Sequence, residues 1–154
     1  MTEQEHALNL LAEHEKAIGD LYQRFADRFP EYASLWSGCA QEEFRHVEIV
    51  RNMQAMAAQG LISHTGRFNA AAIQTSLSYI ADQTNMAQGG ELRDRQALAI
   101  ALNIESSLLE NRYFEMFGAT APEFQKMQRT LLEETVKHRR MIQAALEKIK
   151  DQPR

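Results

Sequence analysis

Six residues in this chain are of the types that hold metal ions and stand at the spacing of a buried helix face: Glu15, Glu43, His46, Glu105, Glu134 and His138. In the first helical segment Leu8, Leu11, Glu15, Ile18, Tyr22, Phe25 and Phe29 recur at steps of three and four. In the second, Tyr32, Trp36, Cys39, Glu43, His46, Val50, Met53 and Ala57 do the same. The third reads Leu98, Leu102, Glu105, Leu109, Tyr113 and Met116. The fourth reads Phe124, Met127, Leu131, Glu134, His138, Met141 and Ala145. Such stripes mark the face of an amphipathic helix that turns inward. A carboxylate there is costly unless something compensates it. Bound metal is the sharpest compensation. Two helices would each give one glutamate, and two would each give a glutamate and a histidine, the arrangement of a di-iron or di-manganese carboxylate site. Glu43 and His46 share a face at i and i+3. Carboxylates can bridge two ions, and each imidazole holds one. Without metal the carboxylates repel each other and some take up protons. Open positions on such ions admit dioxygen or peroxide.

The elements that position these residues follow from the punctuation of the chain. Thr2-x-x-Glu5 reads as a capping box that opens the first helix, and Phe29-Pro30 ends it. Pro30 suits the first turn of the second helix, which runs to about Gly60. Ser63 to Arg67 reads as loop, and Asn69 caps a shorter helix over Ala70 to Met86 with Ile73, Leu77 and Ile80 apolar. Gln88-Gly89-Gly90 breaks that helix. The third helix starts near Asp94 and ends at Phe117-Gly118. Thr120-x-x-Glu123, with Pro122 in the first turn, opens the fourth, which reaches about Lys150 before Pro153. Bundle helices are usually joined by roughly two to eight residues. The second and third helices are separated by far more, and the intervening stretch carries a helix of its own. A helix of about 28 residues spans about 42 Å, so a parallel neighbour needs a return path of that order. The chain is therefore read as a single domain over 1–154: an all-α, ferritin-like four-helix bundle whose long crossover contains an extra helix.

Composition agrees. Hydrophobic residues make up 44% of 154, enough for one domain with a core. The formal charge is -4 and no basic block suggests nucleic acid or an anionic membrane. No apolar run approaches the roughly 18 residues of a membrane span. The opening Met1-Thr2-Glu3-Gln4-Glu5 does not read as a signal peptide, and a reducing cytoplasm is the expected location. The single cysteine excludes an internal disulfide and any four-cysteine metal site.

Glu15-Lys16-Ala17-Ile18-Gly19-Asp20-Leu21-Tyr22 and Glu42-Glu43-Phe44-Arg45-His46 resemble the rubrerythrin family, and the likeness spans most of the chain. The resemblance implies Glu15, Glu43, His46, Glu105 and His138 as ligands of two iron ions, with manganese or zinc as alternatives. It implies reduction of hydrogen peroxide or oxidation of ferrous iron, with peroxide or dioxygen as reactant, in a homodimer. Three departures stand out. The family's Glu-x-x-His on the fourth helix has Thr135 in place of the glutamate, and Glu134 is the candidate substitute. The extra glutamate three residues after the third-helix ligand is Leu108. The single cysteine of this sequence cannot build the family's rubredoxin-like domain that delivers electrons, so reduction is expected to come from an external donor protein.

Other readings compete. A single glutamate on an apolar stripe usually sits at its edge and reaches water; the matched set argues against that for Glu15, Glu43 and Glu105. Glu42 rivals Glu43, since it also faces His46. Glu134 has a surface ion pair as its alternative, and Glu110 reads as solvated. His14 should face sideways to the surface; His6 and His64 have no assigned role. Cys39 reads as a buried apolar residue with a redox role as the rival. Tyr22 and Tyr113 read as core, or as hydrogen-bond donors or electron relays. Gly19 and Gly38 mark close helix contact, room for a ligand, or tolerated strain. Arg112 is expected either to pair with a non-ligand carboxylate such as Glu115 or to neutralise a depleted site. Two functional alternatives remain: a metal-binding or iron-handling bundle without turnover, and a structural bundle with a degenerate site.

Overall fold

Proline has no amide hydrogen for a helix and its ring disfavours helical geometry in the residue before it, so a helix reaching Phe29 must stop there. In the computed structural model, which describes residues 3–64, 70–115, 117–118 and 121–150, helix α1 spans Glu3–Arg28 and α2 spans Ala33–Ala58. Phe29 leaves helical geometry (φ -121°, ψ 83°), and a single 3-10 turn, Pro30–Tyr32, joins the helices. They are antiparallel neighbours: Phe25 meets Trp36 at one end (ring centroids 4.9 Å), and Arg51 donates to Asn9 toward the other (3.0 Å).

The crossover holds α3, Ala70–Gln88, which buries Ile73, Ile80 and Ala87, and α4 follows over Asp94–Glu110. The Gln96 side chain accepts the Arg93 amide (2.9 Å) at the start of α4. Helix α5 spans Pro122–Lys150. Side-chain contacts fix the remaining directions. Arg139 donates to Ser106 (3.0 Å) while Gln128 reaches the Phe114 and Phe117 carbonyls (2.9 Å each), so α4 and α5 are antiparallel. Tyr22 meets Glu105 while His14 meets Tyr113, so α1 and α4 are antiparallel. The fold is thus an all-α bundle of α1, α2, α4 and α5, with α3 laid against α1. A two-residue antiparallel ladder pairs Ser63–His64 with Phe117–Gly118. No helix among the described residues is long and apolar enough to cross a membrane.

Three expectations are corrected. The third bundle helix ends at Glu110, not at Phe117-Gly118. The Asn111 side chain donates to the Ser107 carbonyl (2.9 Å), and Arg112 turns into the left-handed region (φ 52°), which a helix cannot continue through. Tyr113 and Phe114 then enter the core from a 3-10 turn, Tyr113–Glu115. The inner face of α5 also differs: Phe124, Leu131, Thr135, His138, Ile142 and Leu146 are buried, whereas Met141 is 40% exposed. A straight helix drifts from a strict seven-residue stripe, which carries the buried face onto the neighbouring residues. The third correction is Ser63–His64, read as loop and found in the ladder. Thr2, Arg67, Asn69, Met116, Thr120 and Pro153 lie outside the described residues.

Candidate metal centre

Helices α1, α4 and α5 each bring one of the expected ligands to the interior, and α2 brings two. Glu15, Glu43, Glu105, His46 and His138 are all 0% exposed. They form two overlapping donor sets, Glu15–Glu43–His46 and Glu43–Glu105–His138, whose donor atoms lie within 4.8 Å of one another and could hold a metal ion. Glu43 belongs to both. Its Oε2 lies 3.4 Å from His46 Nδ1, and its Oε1 lies 3.0 Å from His138 Nδ1. Glu15 Oε2 stands 3.5 Å from His46 Nδ1, and Glu105 Oε1 stands 3.6 Å from His138 Nδ1. Donor atoms about 2.0–2.2 Å from one ion stand roughly 3.0–3.5 Å from each other, so the three longer separations are close to those around a shared ion, while His138 Nδ1 and Glu43 Oε1 at 3.0 Å hydrogen-bond directly.

Satisfaction of the buried atoms points the same way. Both Glu15 oxygens, Glu43 Oε2, Glu105 Oε2 and His46 Nδ1 have no hydrogen-bond partner. Buried polar atoms are nearly always paired, and five orphans around one point are the fit expected of a cation site. Tyr22 is the one hydroxyl donor to the set among the described residues, donating a hydrogen bond to Glu105 Oε1 at 2.7 Å. Burial and then the Glu105 charge push the Tyr22 phenol well above its ordinary value, which keeps it a donor.

The protonation of the metal-free cluster follows from burial and mutual charge. Burial and the neighbouring Glu43 push Glu15 up to about 8. Burial opposes charge on Glu43, but the proton-bearing Glu15 and the two histidines beside it outweigh burial and hold the carboxyl below its ordinary value. Burial also opposes charge on the histidines, yet Glu15 and Glu43 raise His46 to about 11, and Glu105 and Glu43 raise His138 to about 10. Protons thus occupy the positions a cation would neutralise.

Glu134 joins neither donor set, contrary to its expected role as a ligand. It lies outside His46, its Oε2 3.2 Å from Nε2, and its Oε1 accepts from Arg45 at 2.7 Å. The residue turned inward beside it is Thr135, 1% exposed, whose hydroxyl donates to the Leu131 carbonyl at 2.7 Å. Glu42 is likewise outside, accepting from Lys137 (2.8 Å) and meeting His138 Nε2 (3.0 Å). His14 corrects another expectation. It is 1% exposed, because α3 and Tyr113 cover that side of α1. Its Nε2 pairs with Ser76 Oγ at 2.7 Å, and burial, against the pull of Glu15, lowers its proton affinity. Cys39 is buried, and burial with the nearby Glu105 and Glu43 charges pushes its thiol far up, which leaves little reactive thiolate. Arg112 pairs with Glu115 (3.7 Å) in an exposed turn.

Fold and site together define an all-α bundle with buried glutamate and histidine groups able to hold metal. Comparison with known proteins adds no relative: no family model, no curated protein and no solved structure matches the chain.

Proposed function

We propose that this chain is a non-haem di-iron protein of the rubrerythrin type, reducing hydrogen peroxide or oxidising ferrous iron with electrons from an external donor. The observation that carries the reading is the division of Glu43: one oxygen faces each histidine, so one carboxylate serves two donor sets whose remaining oxygens have no partner. When bound, a pair of ferrous ions would supply the two electrons that reduce an O–O bond, and two protons complete two waters. The protein's own part is to hold Glu15 and Glu105 on opposite sides of Glu43, to present both Nδ1 atoms inward, and to fix Glu105 through Tyr22. Low exposure of every donor keeps bulk water out.

A second reading, metal binding without turnover, is favoured by Thr135. It is the buried residue three before His138, where a further carboxylate was expected, and its hydroxyl is committed to the Leu131 carbonyl. Replacing Glu43 and His46 together by apolar residues of similar volume separates the readings. For the enzyme, iron binding and peroxide consumption both vanish. For a metal-holding protein, iron binding vanishes and there was no consumption to lose. A parent protein that binds no iron contradicts both.

A further inference from the structure

The α2–α5 face carries a repeated pattern with crossed partners. Glu42-Glu43-Phe44-Arg45-His46 on α2 and Glu134-Thr135-Val136-Lys137-His138 on α5 place an outer glutamate, a cation and a histidine at the same offsets. Each outer glutamate reaches the histidine of the other helix. Glu42 Oε2 meets His138 Nε2 at 3.0 Å while Lys137 holds Glu42 Oε1 at 2.8 Å. Glu134 Oε2 meets His46 Nε2 at 3.2 Å while Arg45 holds Glu134 Oε1 at 2.7 Å. The glutamates are mostly buried and the cations more than half exposed, so each pair is a lid of one side-chain layer between a histidine and solvent.

We propose that Glu42 and Glu134 are positioning residues acting across the helix pair: Glu42 serves the donor set of His138, and Glu134 serves that of His46. An imidazole gives one nitrogen to an ion when its other nitrogen carries a proton held by an acceptor. Here both Nε2 atoms face the outer carboxylates, and both Nδ1 atoms face the inner ones. Spacing along one helix couples Glu42 to His46, four residues on. The geometry couples it to His138 instead. The inference rests on the two-ion reading of the cluster.

Cobalt(II) titration followed by calorimetry and visible absorbance tests the crossing. In a His138→Ala background only the Glu15–Glu43–His46 set is complete. There Glu134→Leu should weaken cobalt binding by about 10- to 100-fold, and Glu42→Leu should change it little. In a His46→Ala background the two effects should exchange. Glu134→Gln and Glu42→Gln keep an acceptor oxygen and should recover most of the lost affinity. They also serve where a leucine variant fails to fold by circular dichroism. Losses that follow the same helix, or that fall equally on both sets, overturn the assignment while leaving the two-ion reading intact. A parent protein that binds no cobalt overturns both.

Discussion

Glu43 and the four donors around it behave as one titrating unit, and its sign with pH is fixed by the direction of the shifts. Folded His46 and His138 hold protons more tightly than their ordinary 6.5, at about 11 and about 10. The stability they contribute is full below 6.5 and is lost as pH rises through those higher values. Glu15 acts in the same direction, from its ordinary 4.5 up to about 8. The metal-free protein should therefore melt at progressively lower temperature between about pH 6.5 and 10. Metal affinity should rise over that interval, because Glu15 and both histidines must shed protons to bind. Thermal melts across pH with and without zinc read both slopes; a metal-free protein that gains stability with rising pH contradicts this protonation scheme. Thr135→Glu adds a carboxylate at the inward position of α5. It should tighten metal binding by roughly tenfold or more, since ligand charge sets affinity, and should lower the metal-free melting temperature by burying another charge. Metal titration and melting of the variant check both. These donors were legible in the sequence because each of Glu15, Glu43, His46, Glu105 and His138 replaces an apolar residue at a buried step. Glu134 was misplaced because it and Thr135 are adjacent and both polar, so polarity alone does not say which turns inward. His14 was misread because periodicity along α1 says nothing of the crossover helix that covers it.

At the scale of elements, α1 and α2 match their stripes almost residue for residue, since their mutual packing sets one continuous apolar seam. The two helix-interior glycines separate cleanly. A Cβ on Gly19 would come within 2.6 Å of the Phe44 ring, whereas one on Gly38 would meet nothing within 4 Å. Gly38→Ala should accordingly stabilise the protein by about 1 kcal/mol, read as a melting temperature higher by roughly 2–4 °C. Gly19→Ala should gain less or lose, because the Phe44 ring, 37% exposed, must swing outward from α1. Equal gains at both sites would show that Phe44 does not pack there in solution. The premature end of α4 was missed because Asn111 is a weaker stop signal than Gly or Pro, and the stop is a side-chain cap followed by a left-handed arginine. The drift of the buried face on α5 belongs to the same class of effect, because a long helix accumulates small departures from any fixed stripe.

For the whole molecule, the contacts make α1 antiparallel to both α2 and α4, so α2 and α4 run parallel across the bundle. That relation requires the long crossover, which is why the interval between the second and third bundle helices was readable as topology before any contact was known. The same arrangement brings four helices to one depth and places five polar donors at their meeting point, which no pair of helices could do alone. The most direct measurement is the number of iron ions held per folded chain after anaerobic reconstitution with ferrous iron and removal of excess metal. Two ions are expected under the two-ion reading, with Glu43→Ala losing both because its carboxylate is shared. Retention of no iron by the parent chain, or undiminished binding by Glu43→Ala, would contradict it.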